Sequence, residues 1–285
     1  MARRTKVTAR QARLGTELRK LREAAGLKGR EAAALLGTDS AQMSQIEFGT
    51  AGVSEARVRR LAAHYSCTDT DLIEALVAMA TDRTRGWWED YQGKLPTPPF
   101  LDIAELEHHA AYRLDMEFLN IPGLLQTEDY ARAVFSYRVP ELPANDTDLR
   151  VEHRMRRRAV IEGPAAIPYE AVIHEAALRI RVGDRATARA QLSHVLELSQ
   201  ADSVTVRVIP FDLDGFGGAW STMMYAGGAV VKLDTVVRDV TANGTAFVDS
   251  EAQLGAFRTL FRKIEGVSLE PDRSRDFIHR LAKEL

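Results

Sequence analysis

Three glycines, Gly26, Gly37 and Gly49, divide the N-terminal segment of the chain into short helices. Before Gly26 the apolar residues recur at spacings of four, three and four, which is one face of an amphipathic helix. Gly26 is expected to end that helix in the left-handed conformation, because glycine adopts it without steric cost. The pattern predicts helices over 10–25, 30–36 and 40–47, then a fourth over 54–64 and a fifth after Thr70.

The charge of the chain is unevenly distributed. The whole sequence of 285 residues, long enough for about two domains, has a formal net charge of −2. Residues 1–66 carry thirteen Lys and Arg against six Asp and Glu, a net +7, and the remaining residues carry 25 against 34, a net −9. A basic N-terminal part followed by an acidic remainder of the chain indicates that the N-terminal part binds a polyanion.

The second and third helices have the spacing of a helix-turn-helix. Two short helices that cross steeply need a small residue at their contact and a tight turn between them. Ala33 supplies the small residue and Gly37 the turn, and four apolar residues can form a minimal core beneath them: Leu27, Leu36, Met43 and Ile46. With this geometry the exposed face of residues 40–45 can enter the major groove of DNA.

Past residue 100 the pattern mixes helices and strands. Strands are predicted at 112–119, 169–174, 203–209, 219–225, 229–235 and 237–241, and helices at 101–109, 127–136, 146–161, 185–199, 249–264 and 271–284. The sequence therefore predicts a multidomain protein, with an all-α helix-turn-helix domain over 1–82, a junction over 83–100 and an α+β domain over 101–285.

The N-terminal motif resembles the Xre/Cro-type, lambda-repressor-like domain. The matching strings are Leu18-x-x-Leu21-Arg22, Ala25-Gly26-Leu27, Ala33-x-x-Leu36-Gly37 and Met43-Ser44-Gln45-Ile46-Glu47-Phe48-Gly49. The resemblance implies that Arg22 pairs with Glu47 in a structural role. It also implies that the first two residues of the third helix and one a turn later face the bases, which assigns base contacts to Ser40, Ala41 and Gln45, with Gln42 beside them.

The sequence departs from this family at the start of the second helix. The family usually places a glutamine there to hold a phosphate, whereas this chain has Lys28-Gly29-Arg30. We expect Lys28, Arg30, backbone N–H groups and Ser44 to make phosphate contacts instead. The alternative is a domain of this type that no longer binds DNA and serves for dimerisation, and the positive charge of the segment argues against it.

A second set of strings covers the larger half of the chain: 121–133 (IPGLLQTEDYARA), 174–179 (HEAALR), Gln191-Leu192 and 206–211 (VRVIPF). With these strings the chain resembles actinobacterial Xre-type regulators whose C-terminal domain is of unknown function and antitoxin-like. The resemblance implies DNA-binding regulation and, through gene neighbourhood, a small protein partner. From the residues alone, Leu124, Leu125, Tyr130 and Ala131 are expected to pack into the core.

Ligand and catalytic sites are weakly indicated in the C-terminal half. Four aromatic residues near a glycine-rich stretch are candidates for a pocket, although core packing is the favoured interpretation: Phe211, Phe216, Trp220 and Tyr225. The arginines of 150–158 are expected to form a solvated helix face, with a phosphate- or partner-binding surface as the alternative. His174 and Glu175 are expected to belong to a strand-to-helix junction. No metal, cofactor or catalytic motif is present, so no enzyme activity is expected.

These observations lead to one favoured function and one alternative. The favoured function is a cytoplasmic, homodimeric transcription regulator that reads a (pseudo)palindromic double-stranded DNA operator, with a C-terminal domain that dimerises and responds to a small-molecule effector or a protein partner. The alternative is an antitoxin-like module that binds a small neighbouring gene product, with DNA binding secondary. The sequence contains no signal peptide and no run apolar enough for a membrane helix.

Overall fold

The computed structural model describes residues 7–95, 98–217, 222–241 and 244–285. The chain divides into two compact units, one up to Glu89 and one from Asp90 to Leu285. The first is helical and the second combines a six-stranded mixed sheet with helices. The predicted fold class, an all-α helix-turn-helix part followed by an α+β part, is confirmed.

Five helices build the N-terminal unit, and they match the predicted ones. They are α1 (Ala9–Ala24), α2 (Gly29–Leu36), α3 (Ser40–Glu47), α4 (Glu55–His64) and α5 (Thr70–Thr81). Their apolar faces meet in a core whose large buried side chains include Leu18, Met43, Ile46, Val58, Leu61 and Leu76.

The helix boundaries in this unit follow from local capping. The Thr8 hydroxyl accepts the N–H of Gln11 at the start of α1, and an Asp39 oxygen accepts the N–H of Gln42 at the start of α3, at 2.7 Å. Gly26, Gly37 and Gly49 all have positive φ, at 71°, 64° and 73°. The glycines therefore end these helices as predicted.

Seven helices and six strands form the C-terminal unit. The helices are α6 (Pro98–His108), α7 (Glu128–Ser136), α8 (Ala144–Arg157), α9 (Glu175–Arg179), α10 (Arg185–Leu198), α11 (Glu251–Glu265) and α12 (Pro271–Glu284), counted over the described residues. The strands, on the same basis, are β1 (Tyr112–Glu117), β2 (Tyr169–His174), β3 (Val204–Ile209), β4 (Met223–Gly227), β5 (Thr235–Thr241) and β6 (Gly244–Val248).

The sheet order is β3-β2-β1-β4-β5-β6. Strands β1, β2 and β3 are parallel, whereas β4, β5 and β6 pair antiparallel. Side chains of β2 alternate between two apolar clusters: Ala171 and Ile173 pack against α10 and α12, and Val172 packs against α11. Both faces of the central strands are therefore buried. Leu124, Leu125, Tyr130 and Ala131 are buried as predicted.

The prediction of a strand over 229–235 is wrong. This segment forms a turn that contains a short 3-10 helix, Val231–Leu233, and β5 begins only at Thr235. The carboxylate of Asp234, which is 1% exposed, accepts hydrogen bonds from the Tyr225 hydroxyl at 2.6 Å and from the Gly228 N–H at 2.9 Å. These bonds hold the segment as a turn. Strand β6 was not predicted, and residues 219–221 of the predicted fourth strand lie outside the described residues.

The expectation of a solvated arginine face on residues 150–158 is also wrong. Arg150 and Arg157 are 2% and 8% exposed, and His153 between them is fully buried. Arg154 and Arg158 donate hydrogen bonds to the Gln126 side-chain and backbone oxygens. The arginine-rich face of α8 therefore points into the C-terminal unit, and Arg156 is the member that reaches outward, toward Asp90 at 3.3 Å.

A buried cluster of charges explains how this unit tolerates interior arginines. Glu107 accepts two hydrogen bonds from Arg157, at 2.6 and 2.8 Å, and also contacts Arg113. Arg113 in turn binds both oxygens of Asp115, at 2.8 and 2.9 Å, and the Tyr169 hydroxyl donates to Asp115 at 2.8 Å. All five side chains are less than a tenth exposed, so each charge depends on its neighbours for compensation.

Replacing Glu107 with glutamine should destabilise the C-terminal unit strongly. The change leaves two buried guanidinium groups without their shared carboxylate, which costs about 3 kcal/mol of unfolding free energy. Pulse proteolysis in urea, scored on fragments of the C-terminal unit, measures this loss. Glu128→Gln is the matched control, since its pair with Arg132 is exposed and is expected to change stability by less than about 1 kcal/mol. Equal effects of the two changes would contradict the prediction.

Candidate nucleic-acid interface

Helix α3 is positioned by an unusually close contact with α1. A Cβ atom added to Gly15 would lie 2.4 Å from the backbone oxygen of Glu47 and 2.7 Å from that of Ile46. Gly49, just after α3, packs in the same way: a Cβ atom added to it would lie 2.6 Å from the backbone oxygen of Gln11. Both distances are too short for any side chain, so the two glycines set how closely the helices pack.

An ion pair joins the same two helices. Arg22 donates to the two carboxylate oxygens of Glu47 at 2.6 and 2.9 Å, and to the backbone oxygen of Leu27 at 2.7 Å. The hydrogen bonds that Arg22 donates to Glu47 raise the pKa of Arg22, so the guanidinium stays charged. Burial, together with the Glu47 charge, raises the pKa of neighbouring Tyr65 to about 12. The resemblance implied this pair, and the two side chains are in contact.

The turn between α2 and α3 has the expected composition. Ala33 is 2% exposed where α2 meets α3, and Gly37 caps α2 in the left-handed conformation. Met43, Ile46 and Leu36 are buried beneath the turn. Leu27 is only partly buried, so it contributes less to this core than the apolar spacing of the sequence predicts.

The residues assigned to base contacts lie on the outer face of α3. Ser40 and Ala41 are exposed, as is Ser44, and Gln42 and Gln45 are half-buried. The Gln42 side-chain oxygen contacts the Thr38 hydroxyl, which fixes the orientation of its amide. Phe48 caps the helix at its C-terminal end and is 64% exposed. The structure thus groups the assigned residues on one accessible surface.

The start of α2 lies open to a ligand. Lys28 and Arg30 are exposed, and a Cβ added to Gly29 would meet no atom within 4 Å. The Lys28 N–H is already used, because it donates to Glu31 at 2.6 Å. The N–H groups of Gly29 and Arg30 lie in the first turn, before the first intrahelical hydrogen bond, and such groups are available to anions.

The structure connects three of the aromatic residues predicted as a pocket in the C-terminal unit. Phe211 and Phe216 meet at His174, with ring centroids 5.2 and 5.8 Å away. Tyr225 is fully buried in the apolar cluster against which Phe216 packs, and its ring stacks on Tyr112. Trp220 lies outside the described residues.

The strand-to-helix junction predicted at His174 and Glu175 is confirmed. The His174 Nδ1 atom accepts the Ala176 N–H at 3.1 Å, which caps α9. Glu175 accepts the N–H of Phe211 at 2.8 Å and pairs with Arg179. Both side chains therefore have structural roles at this junction.

The described residues contain neither a cluster suited to a metal ion nor a helix suited to a membrane. No three His, Cys, Asp or Glu side chains in the described ranges are grouped so that they could hold a metal ion. No helix in that part of the chain is long and apolar enough to cross a membrane.

Comparison with known families defines the class of both units. Residues 13–76 match a helix-turn-helix domain, and residues 100–280 match a domain of unknown function (DUF5753). The first match makes this a protein with the architecture of helix-turn-helix regulators. Since the second match covers more than half of the length of the chain, the chain belongs to the DUF5753 family. Searches of curated proteins and of solved structures gave no match.

Sequence reasoning missed Gly15 as a determinant of the interface. Gly15 lies inside α1, on the face that carries Leu14 and Leu18, and all three residues are buried. A glycine within an otherwise well-formed helix is itself a signal, since it costs about 1 kcal/mol relative to alanine and calls for a packing reason. The reason here is the backbone of α3.

Gly15→Ala is expected to destabilise the N-terminal unit by about 2–3 kcal/mol, because its methyl group overlaps the Glu47 backbone and forces α1 and α3 apart. Hydrogen exchange of the Leu18 and Ile46 amides measures the loss. Gly29→Ala is the control: it also lies in a short helix, but its Cβ enters open space, so exchange should stay the same or slow slightly. Unchanged exchange in Gly15→Ala would show that the close contact is not a constraint.

Proposed function

We propose that this protein is a sequence-specific transcription regulator of the Xre type, which binds a (pseudo)palindromic operator as a homodimer through the major groove. The observation that carries the proposal is the accessible face of α3, which is held on α1 by Gly15 and by the Arg22–Glu47 pair. A rigidly held helix with a free polar face is what major-groove recognition requires. We propose that the protein has no catalytic role and that it acts in the cytoplasm, on chromosomal DNA.

Base reading is assigned to the outer face of α3. Gln45 can bind adenine through two hydrogen bonds, and Ser40 can bond to several base edges. Ala41 offers only a methyl group, which suits contact with a thymine methyl. Gln42 and Ser44 flank this set, with the Gln42 amide oriented by Thr38. The set is small, so phosphate contacts should supply most of the affinity.

Phosphate binding is assigned to the start of α2. Gly29 leaves the first turn of α2 uncovered, so a phosphate can approach its backbone N–H groups. The exposed Lys28 and Arg30 side chains flank that turn and add positive charge. This arrangement would replace the glutamine that related domains use at the position of Gly29.

The C-terminal unit is assigned dimerisation and response to a small-molecule effector or protein partner. One helix-turn-helix contacts few base pairs, and two half-sites about 34 Å apart, or a multiple of that spacing, require a dimer. The remaining unit, from Asp90 to Leu285, is large enough for both roles.

Affinity for the DNA upstream of the protein's own gene tests base reading and phosphate binding separately. Gln45→Ala should lower affinity for that DNA about tenfold or more and leave affinity for scrambled DNA unchanged, because a bidentate base contact is lost. Arg30→Ala should weaken both, and should reduce the slope of log affinity against log salt by about one. Fluorescence anisotropy across a salt series measures all of these quantities.

Arg273→Ala is the matched control for Arg30→Ala, since Arg273 is an exposed arginine on α12 of the other unit. It should change neither affinity nor salt slope. Equal affinity of the unmodified protein for upstream and scrambled DNA at moderate salt would overturn the proposal.

The dimer is tested by sedimentation and footprinting together. A dimer should sediment at twice the monomer mass and protect two half-sites separated by about one helical turn of DNA or a multiple of it. A monomer that protects a single half-site at saturation would exclude the homodimer and leave the helix-turn-helix function standing.

A further inference from the structure

Phe48 is a large apolar side chain on the surface of the N-terminal unit. Among the described residues of that unit it is the one large apolar side chain that is mostly exposed, at 64%. A single exposed aromatic residue needs no explanation by itself. The place of Phe48 does need one, because it follows directly after α3, among the residues assigned to DNA contact.

Phe48 continues the outer face of α3. Its backbone has right-handed helical dihedral angles, φ −89° and ψ 0°, and its N–H donates to the Ser44 carbonyl at 2.9 Å. It is therefore the last member of a series with the i, i+3, i+4, i+7 spacing of one helix face. The members of this series are Ala41, Ser44, Gln45 and Phe48.

The backbone around Phe48 is fixed on both sides. The Gly49 N–H donates to the Ile46 carbonyl at 3.0 Å, and Gly49 itself packs against the backbone of α1. After it, the Thr50 hydroxyl and the Ala51 N–H both donate to the Gln45 carbonyl, at 3.1 and 3.0 Å. The place of Phe48 on the outer face of α3 is therefore a fixed property of the unit.

The length of α3 places Phe48 at the edge of the major groove. In a helix-turn-helix the N-terminal residues of the recognition helix contact the base edges. Phe48 comes eight residues after Ser40, and a rise of about 1.5 Å per residue puts it about 12 Å farther along the helix axis. The major groove is itself about 12 Å wide. When Ser40 contacts the bases, Phe48 therefore lies beside the sugar-phosphate wall of the groove.

This wall offers a phenyl ring one kind of matching surface. The phosphate oxygens take hydrogen bonds and positive charge, and a phenyl ring supplies neither. Between successive phosphates the backbone presents the C–H groups of deoxyribose, which are apolar. Covering them with the ring removes apolar surface of both partners from water, which is favourable. The deoxyribose is therefore the part of the wall that fits Phe48.

We propose that Phe48 is a DNA-contacting residue that packs on a deoxyribose of the operator backbone. This inference rests on the proposed function, since it takes the outer face of α3 as the DNA-binding face. The contact differs in kind from those assigned above. Base contacts supply sequence discrimination and phosphate contacts supply salt dependence, whereas an apolar contact with a sugar adds affinity with neither effect.

Fluorescence anisotropy with variants of the full chain tests this signature. Phe48→Ala should weaken binding to the footprinted segment of the upstream DNA about fivefold or more, because apolar contact area is lost. The factor should be the same for single-base variants of that segment, and the slope of log affinity against log salt should not change. Phe48→Leu keeps most of the apolar area and should bind more tightly than Phe48→Ala. Tyr137→Ala removes an exposed aromatic residue of the C-terminal unit and should have no effect.

Hydroxyl-radical cleavage of the same DNA locates the contact, since the radical attacks exposed C–H groups of deoxyribose. At saturation the unmodified protein should protect a sugar in each bound half-site that Phe48→Ala leaves open to cleavage. Phe48→Leu and Gln45→Ala should both retain this protection. Circular dichroism verifies that each variant is folded.

Three results would overturn the inference. A loss in Phe48→Ala that depends on one base pair would make Phe48 a base-reading residue, through a thymine methyl. Unchanged affinity and unchanged sugar protection would place the ring outside the interface. A smaller sedimenting species in Phe48→Ala would make Phe48 a contact between two copies of the chain. Each result leaves the proposed function standing if the unmodified protein prefers upstream DNA, whereas equal affinity for upstream and scrambled DNA overturns that function and the inference with it.

Discussion

The contact between α1 and the end of α3 is the constraint on which the N-terminal unit depends. At Gly15 the two backbones approach so closely that a single methyl group would overlap the Glu47 carbonyl. The Arg22–Glu47 pair spans the same helices and neutralises two charges that are each less than a tenth exposed. Backbone contact sets the distance between the helices and the ion pair sets their register, so the outer face of α3 is presented at a fixed angle.

Most of this unit could be predicted because its signals are local. Capping groups and left-handed glycines act within a few residues of the helix ends that they define, as Thr8, Asp39 and Gly37 show. The position of Gly15 opposite Glu47 could not be predicted in the same way, since it is a contact between residues 32 positions apart. The sequence indicates an anomalous helical glycine, but only the structure identifies its partner.

In the C-terminal unit the errors of prediction arise from long-range contacts that override local pattern. Residues 229–235 have the apolar composition of a strand, yet Asp234 holds them as a turn, and its partners include the Tyr112 hydroxyl, 122 positions away. Helix α8 gives the opposite error. Its arginines have the composition of a solvated face, but Arg157 is buried because Glu107, 50 positions earlier, supplies the matching carboxylate. The composition of a segment shows how polar it is, but not whether the fold brings a charged partner to it.

The interior arginines also change what the net charge of the C-terminal unit means. That charge is −6, since residues 90–285 carry 23 Lys and Arg against 29 Asp and Glu, yet Arg150 and Arg157 lie buried within the same unit. A buried charge is tolerated where a partner compensates it, as Glu107 does for Arg157. The acidic balance of this unit therefore describes its composition and not the surroundings of its buried guanidinium groups.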